Sequence, residues 1–300
     1  AIVRPTYLSI CNADMRYYLG TRDAKVLAEK LPMALIHEGV GEVFLDPTGT
    51  FKTGDKVVMV PNAPVEKDEF IAENYLRSSK FCGSSMDGFL QEFVEISPKR
   101  LVKLPDDIDM TVAAFTEIVS VSVHAISRFD KIAHARRNTI SVWGDGNLGY
   151  ITSLFLKYHF PKSKIVVFGT SSDKLADFTF ADETHLVNEV PNGFTTDHAF
   201  ECVGGNGSPI AIEQIIGLIK PEGTISILGV SEYPVPINTR MILEKGLRVF
   251  GSSRSGVKDF AKTVDMYKKH PEIIDYLGNL INSVNVVSYI LNIFNSLNSY

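Results

Sequence analysis

Two groups of residues in this sequence have the types and spacing for chemistry. The first is Gly144-Asp145-Gly146-Asn147-Leu148-Gly149, a G-x-G-x-x-G turn that follows the β-prone run Thr139–Trp143 and precedes helical apolar spacing. In that setting Gly144 permits a tight turn, Gly146 lets the backbone approach a pyrophosphate, and Gly149 lets helix pack on strand. Asn147 and Leu148 then open a helix whose N-terminal N–H groups carry positive partial charge. The turn predicts dinucleotide binding. The second group is Cys11, Asp14, the pair His37-Glu38, and Glu117. Thiolate, imidazole and carboxylate are donors that suit a tetrahedral catalytic zinc. Taken singly, Cys11 also fits a buried core thiol, and Glu38 a surface carboxylate.

The residues after the next β-prone run, Lys164–Phe168, bear on cofactor choice. An NAD-binding fold carries an acid about 20 positions past the glycine turn to take the ribose hydroxyls. Here the segment is Gly169-Thr170-Ser171-Ser172-Asp173-Lys174. Gly169 leaves room for a 2′-phosphate, Thr170, Ser171 and Ser172 offer hydroxyls, and Lys174 offers charge. That favours NADP. The alternative is that Asp173 takes the ribose and the cofactor is NAD.

The elements that must position these groups fall into two patterns. The first third is β-rich, with short runs at Ile2–Arg4, Gly41–Phe44, Lys56–Val60 and Gln91–Val94 between Gly and Pro turns. Pro61–Lys80 is polar and predicts an excursion loop. Met110–Phe115 and Ser120–Phe129 predict helices. From about Ala135 strands alternate with helices: Thr139–Trp143, Tyr150–Phe160, Lys164–Phe168, Asp173–Phe178, His185–Asn188, His198–Cys202, Ser208–Lys220, a turn at Pro221–Gly223, Thr224–Gly229 and Leu247–Gly251. Such alternation predicts an α/β fold with a doubly wound parallel sheet. Val257–Tyr300 predicts a helical tail.

Composition removes several classes of function. The chain has 300 residues, with 30 Lys+Arg against 35 Asp+Glu and a net charge of −5. That argues against binding a nucleic-acid backbone, which needs a basic surface. No apolar run reaches the roughly 18 residues of a membrane span. The three cysteines, Cys11, Cys82 and Cys202, are far apart, which is not a disulfide framework and fits a reducing cytoplasm. They also exclude an all-cysteine structural zinc.

His37–Val43 (HEGVGEV) with Gly54-Asp55-Lys56-Val57 resembles the zinc signature of the medium-chain dehydrogenases/reductases. Cys11-x-x-Asp14 resembles that family's first ligand motif, and Thr116-Glu117 its polyol-dehydrogenase branch. The resemblance implies a GroES-like β-rich catalytic domain over residues 1–118 and a Rossmann NADP-binding domain over 119–257. A helical return toward the catalytic domain would follow over 258–300, both chain ends being incomplete relative to the family. It also implies one catalytic zinc at Cys11, His37 and Glu117, with Glu38 as exchangeable ligand and Asp14 as a buttress behind a ligand. No structural zinc is expected, since only Cys82 lies in the segment that would hold one.

Glu201–Gly205 (ECVGG), Leu228–Tyr233 (LGVSEY), Asn238–Arg240 and Gly251–Gly256 (GSSRSG) further resemble the bacterial ribulose-5-phosphate reductases. That implies NADPH-dependent reduction of D-ribulose 5-phosphate to D-ribitol 5-phosphate for CDP-ribitol, used in teichoic acid or capsule. Arg16 is the expected ligand of the substrate phosphate, ahead of Arg22 and Lys30. Arg254 is expected at the cofactor pyrophosphate, with substrate binding as its second reading. The family's proton-relay hydroxyl is replaced by Ala13, which leaves Glu38 to handle the proton. The resemblance also implies a homodimer paired along Leu247–Phe250 and a possible cytidylyltransferase partner. Trp143, Cys202 and His124 are expected to be structural. Two other functions stay open: a zinc polyol dehydrogenase using NAD, and a non-catalytic nucleotide-binding subunit.

Overall fold

A computed structural model describes residues 1–287 of the chain. It divides into two compact units, one formed by Ala1–Ser120 with the chain from Arg254 onward, the other by Val121–Ser253.

The first unit is built on strands β1 (Ile2–Ser9), β2 (Glu38–Leu45), β3 (Lys56–Met59), β4 (Asn62–Ala63), β5 (Lys80–Phe81), β6 (Val94–Glu95) and β7 (Leu101–Lys103). Five of them form an antiparallel sheet in the order β6-β1-β2-β3-β7. One face of this sheet packs Val3, Val43, Val57 and Met59 around Phe89 and Leu101. Val40 and Val58 alternate to the other face, as period-2 strands require, and meet Ala113, Phe260 and Val264. Gly41 lies so close to Arg4 that a Cβ would collide with the Arg4 carbonyl.

Between β1 and β2 the chain forms α1 (Asn12–Tyr18) and α2 (Ala24–Lys30). After β7 come α3 (Met110–Ala113) and α4 (Thr116–Ile132). Residues of α4 up to Ser120 belong to the first unit and the rest to the second.

The second unit contains β8 (Thr139–Trp143), α5 (Asn147–His159), β9 (Lys164–Gly169), α6 (Ser172–Ala176), β10 (Glu183–Leu186), β11 (Thr196–Glu201), α7 (Ser208–Leu218), β12 (Ile219–Ile227), α8 (Thr239–Lys245) and β13 (Arg248–Gly251). All pairings are parallel, in the order β10-β9-β8-β11-β12-β13. This is the doubly wound order, whose direction reverses between β8 and β11. Ligands bind beyond the carboxyl ends of the strands at that switch. Strands buried on both faces read as continuous apolar runs, and Ile165, Val166, Val167 and Phe168 of β9 are all fully buried.

The last two elements among the described residues are α9 (Val257–Lys269) and α10 (Glu272–Gly278). Phe260, Val264 and Tyr267 repeat at helical spacing on the buried side of α9.

Several expected bounds shift. The strand expected over Gln91–Val94 is confined to Val94–Glu95. The turn expected at Pro221–Gly223 lies inside β12, with Glu222 left-handed at φ 65°. The helical tail stops at Gly278, 281–287 form neither helix nor strand, and the part of the expected tail over 288–300 lies outside the described residues.

Candidate functional site

In the first unit Cys11 is the N-cap of α1, in extended backbone conformation. The Ala13 N–H donates to its Sγ at 3.5 Å, and the Cys11 N–H donates to Asp14 Oδ2 at 3.2 Å. This reciprocal pair satisfies helix-end donors and aims the sulfur off the end of α1. Asp14 is fully buried, and its Oδ1 accepts from the Ile36 N–H at 3.0 Å and lies 3.3 Å from His37 Nδ1. With a proton on Nδ1, that contact orients the ring and leaves Nε2 as the nitrogen that could ligate a metal.

Ile36 itself is left-handed, with φ 69°. Such a conformation is a true outlier for a β-branched residue. It is held by Asp14 and by the Phe89 N–H, which donates to the Ile36 carbonyl at 2.6 Å. Gly88 permits this approach, since a Cβ there would collide with the carbonyls of Leu35 and Ile36.

The outcome is that Cys11, His37 and Glu38 bring their donor atoms within 4.8 Å of one another. Glu117, in the first turn of α4, is outside that set of three, yet its charge acts on His37. The structure therefore gathers Glu38 with Cys11 and His37, where the sequence pointed to Glu117 as the third ligand and to Glu38 as the exchangeable one.

Burial sets the electrostatics of this cluster. Burial pushes the Cys11 thiol and the Glu38 carboxyl up from their usual values. Burial also pushes Glu117 up to about 8, with Glu38 and Asp14 adding to the rise. Burial works against the His37 proton, but the Asp14 and Cys11 hydrogen bonds and nearby carboxylates hold its pKa well above the ordinary value. Full ionisation of these donors needs a positive charge among them. Sulfur, nitrogen and oxygen donors in one buried cluster fit zinc.

The candidate phosphate-binding cations have these surroundings. Arg16 is half-buried in the last turn of α1. Arg22 stacks over the Tyr17 ring at 4.3 Å, and Lys30 Nζ donates to the Tyr17 hydroxyl at 3.4 Å. Arg254, left-handed at φ 56°, holds its guanidinium 4.7 Å over Phe81, whose ring is 5.4 Å from that of His37. Arg254 belongs to the first unit, and its charge acts on Glu117.

In the second unit the glycine turn has the geometry its spacing predicts. Gly144 has φ 130°, and a Cβ there would lie 2.9 Å from the Cys202 carbonyl oxygen. A Cβ at Gly149 would collide with the Gly144 carbonyl. Around Gly146 nothing lies within 4 Å of a would-be Cβ. Gly146 caps α5 without a side-chain bond, so the first N–H groups of the helix, at Asn147 and Leu148, receive no side-chain cap. This cradle suits a pyrophosphate.

At the end of β9 the expected hydroxyls are engaged. The Thr170 N–H and hydroxyl and the Ser171 N–H all donate to Asp145 Oδ2, at 2.6, 3.1 and 2.8 Å. Ser171 Oγ accepts from the Lys174 N–H at 3.4 Å as the cap of α6. Asp173 and Lys174 are exposed.

Two acids escaped the sequence reading. One is Asp145, which stands in plain sight inside the glycine motif. The other is Glu201, fully buried at the end of β11, which accepts from the Val203, Gly204 and Gly229 N–H groups at 3.1, 2.9 and 3.1 Å. It ties together the loops beyond β11 and β12. Trp143 is core: it stacks on Phe168 at 4.4 Å and its Nε1–H donates to Gln214. Cys202 is a buried thiol pushed up by burial, and His124 is buried on α4.

Comparison with known proteins agrees with this anatomy. Residues 1–106 match the alcohol dehydrogenase GroES-like domain and residues 164–269 the zinc-binding dehydrogenase domain. The chain is 58 % identical over 280 residues to a ribulose-5-phosphate reductase of Bacillus spizizenii, covering 93 % of this chain and 82 % of that one. It is 48 % identical over 266 residues to the ribulose-5-phosphate reductase of Streptococcus pneumoniae, covering 88 % and 77 %. The crystal structure of S. aureus TarJ in complex with NADPH superposes with a TM-score of 0.86 at 50 % identity, covering 100 % of this chain and 88 % of that one. Galactitol-1-phosphate dehydrogenase from Escherichia coli shares the fold, with a TM-score of 0.75 at 20 % identity over 90 % of this chain and 81 % of that one. The buried thiol–imidazole–carboxylate cluster, the open glycine turn and these likenesses agree, and the chain belongs to the zinc-binding dehydrogenases, in the group of the ribulose-5-phosphate reductases.

Proposed function

We propose that this chain reduces the C2 ketone of D-ribulose 5-phosphate with NADPH to give D-ribitol 5-phosphate, for CDP-ribitol synthesis. The observation that carries the reading is the intact Cys11–His37–Glu38 cluster in a chain 58 % identical to a ribulose-5-phosphate reductase. When bound, zinc supplies Lewis-acid polarisation of a ketone oxygen and NADPH supplies the hydride. Cys11, His37 and Glu117 would hold the metal, with Glu38, gathered beside Cys11 and His37, as the exchangeable ligand. Asp14 fixes the His37 ring through Nδ1, which sets the direction of Nε2. The position two residues after Cys11 is Ala13 and carries no hydroxyl, so the proton for the product hydroxyl is assigned to the Glu38 carboxyl when it is exchanged off the metal. Arg16 takes the substrate phosphate. Arg254 has its charge beside Glu117 and its guanidinium over Phe81, which supports the substrate role for it over the pyrophosphate role.

Gly144, Gly146, Asn147, Leu148 and Gly149 receive the pyrophosphate, and Gly169, Thr170, Ser171 and Lys174 form the turn at the adenosine ribose. β13 ends its sheet with Val249 37 % exposed, which supports a homodimer paired along that edge. Three free cysteines and the use of NADPH support a cytoplasmic location, where a cytidylyltransferase would take up the product. The test is NADPH oxidation by the purified protein with ribulose 5-phosphate, ribulose and no substrate. Turnover with the phosphorylated ketose alone is expected. Equal rates with ribulose, or turnover of unphosphorylated polyols with NAD, would replace this reading by a general polyol dehydrogenase.

A further inference from the structure

The carboxylate that defines NAD sites in doubly wound folds stands at the end of the second strand. In this chain β9 ends there with Gly169, and the nearest carboxylate comes from the glycine turn instead. A Cβ at 169 would fall 2.7 Å from Asp145 Cβ, 2.8 Å from Asp145 Oδ2 and 2.9 Å from Leu175 Cδ2. Real Cβ atoms do not approach other atoms that closely, so the side chain of Asp145 occupies the room any residue at 169 would need.

The same carboxylate fastens the turn that follows. Oδ2 takes three hydrogen bonds from Thr170 and Ser171. Burial would raise the carboxyl, but these bonds hold it below its usual value, so it is charged at neutral pH. Its charge is spread over donors of the turn. The fastened turn then caps α6 through Ser171 and leads out to the exposed Lys174.

We propose that Asp145 and Gly169 form a matched pair that sets cofactor selectivity, Asp145 acting as a positioning residue that shapes the 170–174 turn for a 2′-phosphorylated ribose and bars an acid from 169. The proposal rests on the NADPH reading given above. It implies that an acid at 169 cannot confer NADH preference while Asp145 is present, and can once Asp145 is gone.

The test is a double-mutant cycle of Asp145→Gly and Gly169→Asp in the full chain. Dissociation constants for NADPH and NADH are read from nicotinamide fluorescence, without turnover. Gly169→Asp alone should weaken both cofactors at least tenfold and lower the thermal midpoint. Asp145→Gly alone should weaken NADPH at least tenfold and change NADH less than threefold, because NADH makes no use of a phosphate-shaped turn. Asp145→Asn, which keeps an acceptor oxygen for the turn, should retain the NADPH preference. The double variant should bind NADH at least tenfold more tightly than Gly169→Asp alone.

Gly169→Ala gives a milder second probe should the aspartate variant fail to fold. Its thermal midpoint should fall with Asp145 present and recover in the Asp145→Gly background. Additive effects of the two substitutions, or equal weakening of both cofactors by Asp145→Gly, would overturn the pairing while leaving NADPH preference in place. A parent protein that prefers NADH would instead overturn the NADPH reading, and with it the phosphate half of the proposal.

Discussion

Acid should weaken the second unit through one histidine. His198 on β11 is fully buried. Its Nδ1 accepts from the Thr224 N–H at 3.1 Å, and its Nε2–H donates to the Arg136 carbonyl at 3.0 Å. Both bonds suit the neutral ring. A second proton would have to enter on Nδ1, facing the Thr224 N–H. Burial, with the nearby His134 and Arg137, brings its pKa down from 6.5 to about 4, against the pull of the Arg136 carbonyl and Asp197. In the unfolded chain the ring takes its proton near 6.5. Between those values the unfolded state binds more protons, so stability falls as pH falls. The stabilisation is complete above about pH 6.5 and lost by about pH 4. A difference of about 2.5 pKa units at about 1.4 kcal/mol each corresponds to about 3 kcal/mol.

The chain's one tryptophan, Trp143, lies on β8 beside β11. Its fluorescence in urea therefore follows the unfolding of this unit. Wild type and His198→Gln would be unfolded at several pH values between 7.5 and 4. Glutamine can serve as donor and acceptor without titrating. Other groups titrate equally in both proteins, so wild type should lose about 3 kcal/mol more than the variant over the window. Parallel stability profiles would refute the assignment.

Cys11→Ala or His37→Ala should abolish turnover and bound zinc, measured by elemental analysis, while NADPH still binds. Asp14→Asn should cost tenfold to a hundredfold in zinc affinity, as is typical when a residue orienting a ligand is changed, read by competition with a chelator. Arg16→Ala should raise KM for ribulose 5-phosphate by about 10- to 150-fold, the equivalent of losing about 1.5–3 kcal/mol of charge-assisted bonding. The dissociation constant for NADPH should not move. Gly149→Ala should weaken NADPH and NADH alike and lower the thermal midpoint, because its Cβ has no room beside the Gly144 carbonyl; full binding would show that the turn adapts.

The parallel sheet was legible because its strands are buried on both faces, which demands runs such as Lys164–Phe168. The glycine turn was legible because each of its glycines answers a separate steric demand. The helices α1, α2 and α8 were not. Each has seven residues, too few to display an apolar period, and each owes its start to a capping side chain. The donor set was legible by residue type, but not by membership. Whether Glu38 or Glu117 joins Cys11 and His37 depends on the entry of β2 and the first turn of α4, and so on long-range packing. Asp145 went unassigned because its partners lie 25 and 26 positions away, and no local pattern connects them.

Cys11 holds two posts at once, the start of a helix and one corner of the thiol–imidazole–carboxylate cluster. A seven-residue helix has little order of its own, and α1 draws on that cap. Whatever loosens the sulfur frays the turn carrying Asp14, then Arg16 and Tyr17, the residue on which Arg22 and Lys30 converge. On the roles proposed above, replacing the sulfur would then cost metal binding and sugar-phosphate affinity together. The seven residues of α1 would serve as a fuse between the two proposed sites.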